Sequence, residues 1–515
     1  MQTTQKPFKQ LDPNTFKDTN PFISLVHNQK IVEVPQFTLE SGIKIKNVPI
    51  AYKSWGKLNQ RGDNVLVLCH ALTGSSDVSD WWGPLLGAGL AFDPTKFFII
   101  CLNSMGSPYG SFSPLTINSK TGKPYGPEFP LCTVRDDVLI HKLVLDNLGV
   151  QKISCVIGGS MGGMLTLEYA SIFGSDYVKS FVALATSARH SAWCISWSEA
   201  QRQSIYSDPK YLDGYYSLND PPSAGLSAAR MSALLTYRSR NSFEERFARR
   251  TPTKENLLKS KSILLSDDTS AKELTGTGES KGAHNDEENS NVLEQKNLEI
   301  HNDGHRRGSR RSSNNTGLLG TTNSETSSNS SITSDNEDTS SIKSASSSSS
   351  VITSADKSKI IKPAQTFFSA QSYLRYQGEK FVKRFDANCY ISITRKLDTH
   401  DLARDREEDI EDIRDVLKSD TQPCLIIGIE SDGLFTYSEQ EFLAKYLPNS
   451  TLEKIDSPEG HDAFLLEFKR INILIRDFLR TNCPQIVSSK GVEWNEEIHM
   501  VKNSVFGEAE EVTNW

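Results

Sequence analysis

Residues Gly158-Gly159-Ser160-Met161-Gly162-Gly163 place a serine between glycines two positions away on either side. The spacing G-x-S-x-G fits a nucleophile on a sharp strand-to-helix turn, where a Cβ two residues before or after would strike the neighbouring strand or helix. Such a turn exposes the serine Oγ at the positive end of a helix dipole. A Gly-rich turn can instead cradle phosphate, the serine being incidental. The flanks favour the nucleophile, since Ile153 to Ile157 reads as an apolar strand and Met164 to Ala170 as a helix. A second Ser-Met-Gly, at Ser104, has Leu102 where the first glycine is needed and is set aside.

A serine hydroxyl attacks only when a histidine takes its proton and a carboxylate holds that histidine, and on this type of turn the chain order is Ser, then Asp or Glu, then His. Two of the ten histidines, His461 and His499, lie beyond the apolar run that ends at Ile429. His499 sits in a polar tail, whereas His461 follows a strand and a Ser-Pro-Glu-Gly turn, which makes it the better base. For the acid, Asp432 lies in the loop past the strand and is favoured over Glu430 at its edge. The negative oxygen of a tetrahedral intermediate needs two N–H donors, one from the residue after the nucleophile and one from the loop after the third strand. These are Met161 and a residue of His70-Ala71-Leu72-Thr73-Gly74. No second ligand stands at metal-binding spacing from His70, so a structural role in the loop is expected there and no metal is expected in the protein.

The elements that must position these groups follow from apolar runs. Ile31 to Val34, Ile43 to Tyr52, Val65 to Cys69, Phe97 to Leu102, Ile153 to Ile157 and Val178 to Leu184 read as strands, the later ones apolar throughout as strands covered on both faces must be. Val134 to Leu148 has a helical period between them. The rhythm resumes with a strand at Pro423 to Ile429, a helix at Ser438 to Tyr446, a strand at Thr451 to Ile455 and a helix from Ala463 to Leu479. An α/β-hydrolase fold is expected, its mainly parallel sheet interrupted between late strands by a helical cap (Ala192 to Ser204, Leu226 to Leu235, Gln371 to Phe385). The expected division is an N-terminal segment (1–30), a first core part (31–185), a cap (186–420), a second core part (421–482) and a tail (483–515).

Within the cap, residues 251–360 carry RRGSRRSSNNTG and SASSSSS tracts that cannot bury enough apolar surface to offset the entropy of ordering, so this insert is expected to be a disordered loop. Ser309 and Ser313 each stand two residues after an arginine pair in a pattern that basophilic kinases accept, which also arises by chance in such a tract. A net charge of −7 with both signs dispersed argues against nucleic acid or an anionic membrane as the main partner. Small molecules are the expected partners. The absence of an apolar leader or spanning run, with eight scattered cysteines and no C-x-x-C, points to a cytoplasmic protein with reduced thiols.

These residues support a serine acyl-enzyme and do not choose its acceptor. The motifs HALTG at His70, GGSMGG at Gly158, GLSAARMSALLTYRSR at Gly225, SDGLFTYSEQ at Ser431 and SPEGHDAFLLE at Ser457 closely resemble the homoserine O-acetyltransferases, in particular the fungal ones. The resemblance spans nearly the whole chain except the insert and the extreme N-terminus. It implies transfer of acetyl from acetyl-CoA, a co-substrate and not a bound cofactor, to the hydroxyl of L-homoserine on the way to methionine. It implies a triad of Ser160, Asp432 and His461, and an oxyanion hole of Leu72 and Met161. It also implies Arg230 as the partner of the homoserine carboxylate with Tyr237 nearby, and Asp462 as the partner of its amino group. Serine as acceptor, succinyl as donor, or water as in an esterase or thioesterase stay open on the residues alone, as does a homodimer.

Overall fold

A computed structural model describes residues 7–253, 294, 296–298, 300–303, 365–406 and 412–494. Most of the Ser-rich insert, with the serines after its arginine pairs, and His499 lie outside the described residues. The chain forms two compact units, Met1–Ala271 with Ser369–Trp515, and Lys272–Phe368. In the second, residues 294, 296–298, 300 and 301 are helical. The first holds all the candidate residues.

Its centre is a nine-stranded sheet of β1 (Lys9–Leu11), β2 (Lys30–Thr38), β3 (Lys44–Trp55), β4 (Val65–Cys69), β5 (Phe98–Leu102), β6 (Ile153–Gly159), β7 (Phe181–Leu184), β8 (Cys424–Ile429) and β9 (Ser450–Ile455). The strand order is β1-β2-β3-β5-β4-β6-β7-β8-β9. The first three strands are antiparallel and β3 joins β5 antiparallel, whereas every pair from β5 to β9 is parallel. Strands β4, β6, β7 and β8 are buried at every position, which explains why they read as unbroken apolar runs. Strand β1 was not expected. It pairs with β2 at the edge of the sheet, so part of the N-terminal segment belongs to the core.

Helices α1 (Val78–Trp81), α2 (Val134–Asn147) and α3 (Met161–Tyr177) come from the first core part. Helix α2 begins with a capping box in which Thr133 Oγ1 accepts from Asp136 N–H and Asp136 accepts from Thr133 N–H. Helix α3 is buried over all of Met161–Ala170, so it is packed around its whole circumference and not on one stripe, its one charged residue there, Glu168, pairing with Arg135 and Arg406. The cap comprises α4 (Ala192–Tyr206), α5 (Ser223–Tyr237), α6 (Arg240–Arg246), α7 (Ser369–Val382) and α8 (Ala387–Asp398), with α5 packed against both α4 and α7. Helix α8 escaped the sequence reading because its buried face mixes Tyr390, Ile393 and Leu397 with Asn388 and Lys396.

The remaining helices include α9 (Ile413–Ser419), α10 (Tyr437–Tyr446), α11 (Ala463–Leu466) and α12 (Phe468–Asn482). The expected helix from Ala463 to Leu479 is therefore two helices, broken at Glu467 (ψ 46°). The break lets Ala463 and Phe464 pack beside His461 while Ile471, Ile475 and Leu479, four residues apart, bury a stripe along the sheet. All eight cysteines are unpaired and buried. Among the described residues no helix is long and apolar enough to cross a membrane.

Candidate active site

Strand β6 ends at Gly159 and α3 begins at Met161, so Ser160 is the entire turn between them. Its backbone has φ 58° and ψ −126°, a conformation that costs about 1–3 kcal/mol for a residue with a side chain. Surrounding contacts hold it there. Ser160 N–H donates to Leu184 O at 3.0 Å, and Ser160 O accepts from Gly163 N–H at 2.9 Å and Thr186 Oγ1 at 2.7 Å. A Cβ on Gly158 would run into the Gly162 carbonyl, and one on Gly162 into the Cys69 carbonyl at the end of β4. The two flanking glycines are thus demanded by the approach of α3 to β6 and β4.

His461 Nε2 lies 2.9 Å from Ser160 Oγ, and its Nδ1 lies 2.7 Å from Asp432 Oδ2. Asp432 is itself aimed, its Oδ1 accepting from Leu434 N–H at 2.8 Å and Phe435 N–H at 2.9 Å. An ionised Asp432 accepts only, so in the neutral ring Nδ1 carries the proton and Nε2 is left as an acceptor facing the Ser160 hydroxyl. Glu430 faces elsewhere, pairing with Lys454 at 2.8 Å in a half-exposed contact. Burial alone would lower the His461 pKa, but the Asp432 charge and hydrogen bond, with Asp462 and Glu439, raise it above its ordinary value. Glu439, which the sequence reading did not single out, is pushed up to about 7 by burial and by the charge of Asp432.

The loop after β4 carries His70 to Gly74 along the same end of the sheet. Gly74 N–H donates to Ala71 O at 3.0 Å, closing a tight turn around Leu72 and Thr73. Across from it, Met161 N–H opens α3, where no preceding turn supplies a carbonyl.

The cap contributes a cluster of buried charge. Arg230 on α5 is 1% exposed, its guanidinium 4.9 Å from the Phe381 ring centre and 5.5 Å from that of Tyr237. The Tyr237 ring in turn lies 6.0 Å from the His461 ring. Arg384, just past α7, also sits 4.9 Å from Phe381 and donates to Thr73 O at 3.1 Å, reaching the loop after β4. Burial first, and the like charge of Arg230, bring the Arg384 pKa down against the opposing influence of Tyr109 and Asp80. Asp462 follows His461 in the chain, and Arg238 Nε meets its Oδ2 at 2.9 Å. Burial raises the Asp462 pKa, opposed by the charges of Arg238, His461 and Arg230.

Sequence reasoning missed Arg238 and Arg384. Arg238 stands beside Tyr237 in the quoted TYRSR stretch, but only the fold reveals that it bridges Asp462 and Glu459. Glu459 also accepts from Ser242 Oγ at 2.8 Å and from Arg246 at 2.9 Å. The next residue, Gly460, has φ 70°, and a Cβ there would meet the backbone of Tyr237, Arg238 and Ser239. The loop that carries the base is thereby seated on the junction of α5 and α6.

The geometry suits acyl transfer through a serine ester, and similarity to known proteins narrows it. The family profile described as alpha/beta hydrolase fold matches residues 64–275. Among solved structures, a homoserine O-acetyltransferase from Bacillus anthracis superposes with a TM-score of 0.59 at 16% identity, covering 91% of this chain and 99% of that one. Esterase E22 superposes with a TM-score of 0.60 at 22% identity, covering 88% and 99%. These two likenesses are of fold. In sequence, the homoserine O-acetyltransferase of Saccharomyces cerevisiae is 62% identical over 99% of both chains. That of Schizosaccharomyces pombe is 51% identical over 96% of both. The chain belongs to the homoserine O-acetyltransferases.

Proposed function

We propose that the enzyme moves acetyl from acetyl-CoA to the hydroxyl of L-homoserine in two half-reactions joined by an acetyl-Ser160 ester. In the first, Ser160 Oγ attacks the thioester carbonyl as its proton passes to His461 Nε2. The carbonyl oxygen becomes negative between the N–H groups of Leu72 and Met161. Collapse breaks the C–S bond, and the departing thiolate takes the proton from His461. In the second, His461 Nε2 removes the homoserine hydroxyl proton as that oxygen attacks the ester, and Ser160 regains the proton as it leaves. Asp432 holds the ring in one tautomer and stabilises its charged form in both steps.

For the acceptor, Arg230 binds the carboxylate of homoserine beside Tyr237, and Asp462 binds its amino group. Two buried guanidiniums against one ring, Arg230 and Arg384, make the inner wall of the cap attractive to an anion, which supports the carboxylate assignment. Asp462 is engaged at Oδ2 by Arg238, and a carboxylate accepts further bonds. Arg238 accordingly favours the charged form of Asp462 against its burial and orients it. The observation that carries the whole reading is that His461 touches both Ser160 and Asp432 while its neighbour Asp462 faces the cap charges.

Eight unpaired buried thiols suit a reducing cytoplasm. Exposed Trp193 on α4 and Leu235 on α5 would suit a homodimer, which light scattering tests.

The deciding experiment supplies acetyl-CoA or succinyl-CoA with homoserine, serine or water and follows thiol release and acylated product. Parallel double-reciprocal lines and an acetylated Ser160 peptide are expected with acetyl-CoA and homoserine. Intersecting lines with no acetyl-serine would refute the two-step route. Thiol release at full rate without an amino acid would make the protein a thioesterase.

A further inference from the structure

A side chain can swing toward a developing charge, but a backbone N–H cannot. The direction of the Leu72 N–H is set by the carbonyl of the same peptide, Ala71 C=O, which points the opposite way across a planar trans unit. That carbonyl is held twice, by Gly74 N–H at 3.0 Å and by His70 Nδ1 at 2.8 Å. The His70 ring is held at its other nitrogen, where Ser104 N–H donates to Nε2 at 3.0 Å. A carbonyl oxygen only accepts and a backbone N–H only donates. These partners therefore fix His70 as the neutral tautomer with its proton on Nδ1. The ring is 1% exposed, and burial pushes its pKa down to about 4, so it stays in this form at neutral pH.

The segment on which His70 rests is itself anchored. Met105, next to Ser104, donates its N–H to Asp137 Oδ1 at 2.8 Å and accepts from Lys396 Nζ at its carbonyl at 2.7 Å. Asp137 on α2 and Lys396 on α8 form an ion pair whose side chains have no exposed surface. Burying such a pair carries a large desolvation cost. Neither member takes part in the acyl-transfer steps, but together they clamp both sides of the Met105 residue.

We propose that His70 is a positioning residue of the oxyanion hole, its Nδ1–H on Ala71 O turning the Leu72 N–H toward Ser160 while Ser104 and the Asp137–Lys396 pair keep the ring in place. The inference rests on the proposed role of Leu72. It predicts a difference between two substitutions. Asparagine carries an amide nitrogen next to Cγ, where histidine has Nδ1, and keeps a donor for Ala71 O. Glutamine reaches the Nε2 position and keeps only the contact to Ser104.

His70→Gln is expected to slow both the burst of thiol release and the transfer to homoserine by about 100- to 1,000-fold, the effect of losing one oxyanion donor, with KM little changed. His70→Asn is expected to stay within about tenfold of the parent. Equal loss in the two variants, or loss that follows only their melting temperatures, overturns the proposal. Should both fail to fold, nitrogen-15 spectra of the parent enzyme decide. His70 must show a protonated Nδ1 and a bare Nε2 that does not titrate with the surface histidines, and the opposite tautomer overturns it. An acetyl-Ser160 ester in the parent with an undiminished burst in His70→Gln sinks this inference alone, whereas no ester in the parent sinks the reading on which it rests.

Discussion

Ser160, Asp432 and His461 are each placed by a loop leaving the end of a parallel strand, β6, β8 and β9 in turn, whereas Arg230 and Tyr237 are carried by a helix of the cap and Arg384 follows directly on another. The first group is tied down by short hydrogen bonds to backbone or to one another, at 2.7–2.9 Å from His461. The second is held by ring faces at 4.9–6.0 Å and by burial, with a longer bond from Arg384 to Thr73 O at 3.1 Å. A strand end inherits the rigidity of the sheet, so it suits atoms that must meet within tenths of an ångström in every turnover. Packed helices tolerate more shape change, so they suit the part of the site that selects an acceptor.

Substitutions on each side should separate chemistry from selection. Ser160→Ala removes the proposed nucleophilic oxygen and is expected to cost about 10⁶-fold in turnover while melting temperature is unchanged. A residual rate within tenfold of the parent would mean that the strand-end group is not the machinery. Asp432→Asn should cost about 10⁴-fold. It also bears on pH. The His461 pKa stands above 6.5 despite burial, and the base works only when neutral, so the parent rate should fall as pH drops through a midpoint above that value. Removing the Asp432 charge should move the midpoint down, and a pH profile that keeps its acid limb in the variant would contradict the assignment.

On the cap side, Arg238→Met removes the ion pair that meets the buried Asp462 and a second one to Glu459, and is expected to lower stability by about 3–5 kcal/mol, read by urea unfolding. Arg230→Ala should weaken homoserine use by the equivalent of about 2–5 kcal/mol in kcat/KM. The burst of thiol release from acetyl-CoA should be nearly unaffected, and equal damage to both half-reactions would erase the contrast between the two regions. The smallest effect is expected from replacing residues 254–364 by a short Gly/Ser linker. Loop closure depends only weakly on length, so turnover should stay within about twofold, and an inactive product would show that this stretch serves the site.

The same contrast governs what could be read from the sequence. Strands β4, β6 and β8 are buried on both faces and so appear as unbroken apolar runs, and the turn at Ser160 needs its glycines, so the nucleophile announces itself locally. Asp432 and His461 follow from chain order once the serine is known. Arg238 and Arg384 carry no such mark, because their roles depend on Glu459, Asp462, Phe381 and Thr73, all distant in sequence. The break at Glu467 was hidden for a related reason. Helical periodicity reports each helix's own buried stripe and says nothing of the change of direction needed to bury two.

The sheet also imposes an order on synthesis. Strand β7 pairs with β8, Leu184 opposite Ile427, and the entire cap is encoded between them. A nascent chain that has emerged through β7 carries Ser160 on a finished strand and helix but has neither acid nor base. At 5–20 residues per second, the ribosome needs roughly 10–50 s to deliver β8. Throughout that interval the apolar edge of β7 has no neighbour, and its exposed ladder is an invitation to wrong pairing. Demand for chaperones should therefore peak while the cap is being translated, and a destabilised cap should reveal itself first as poor yield.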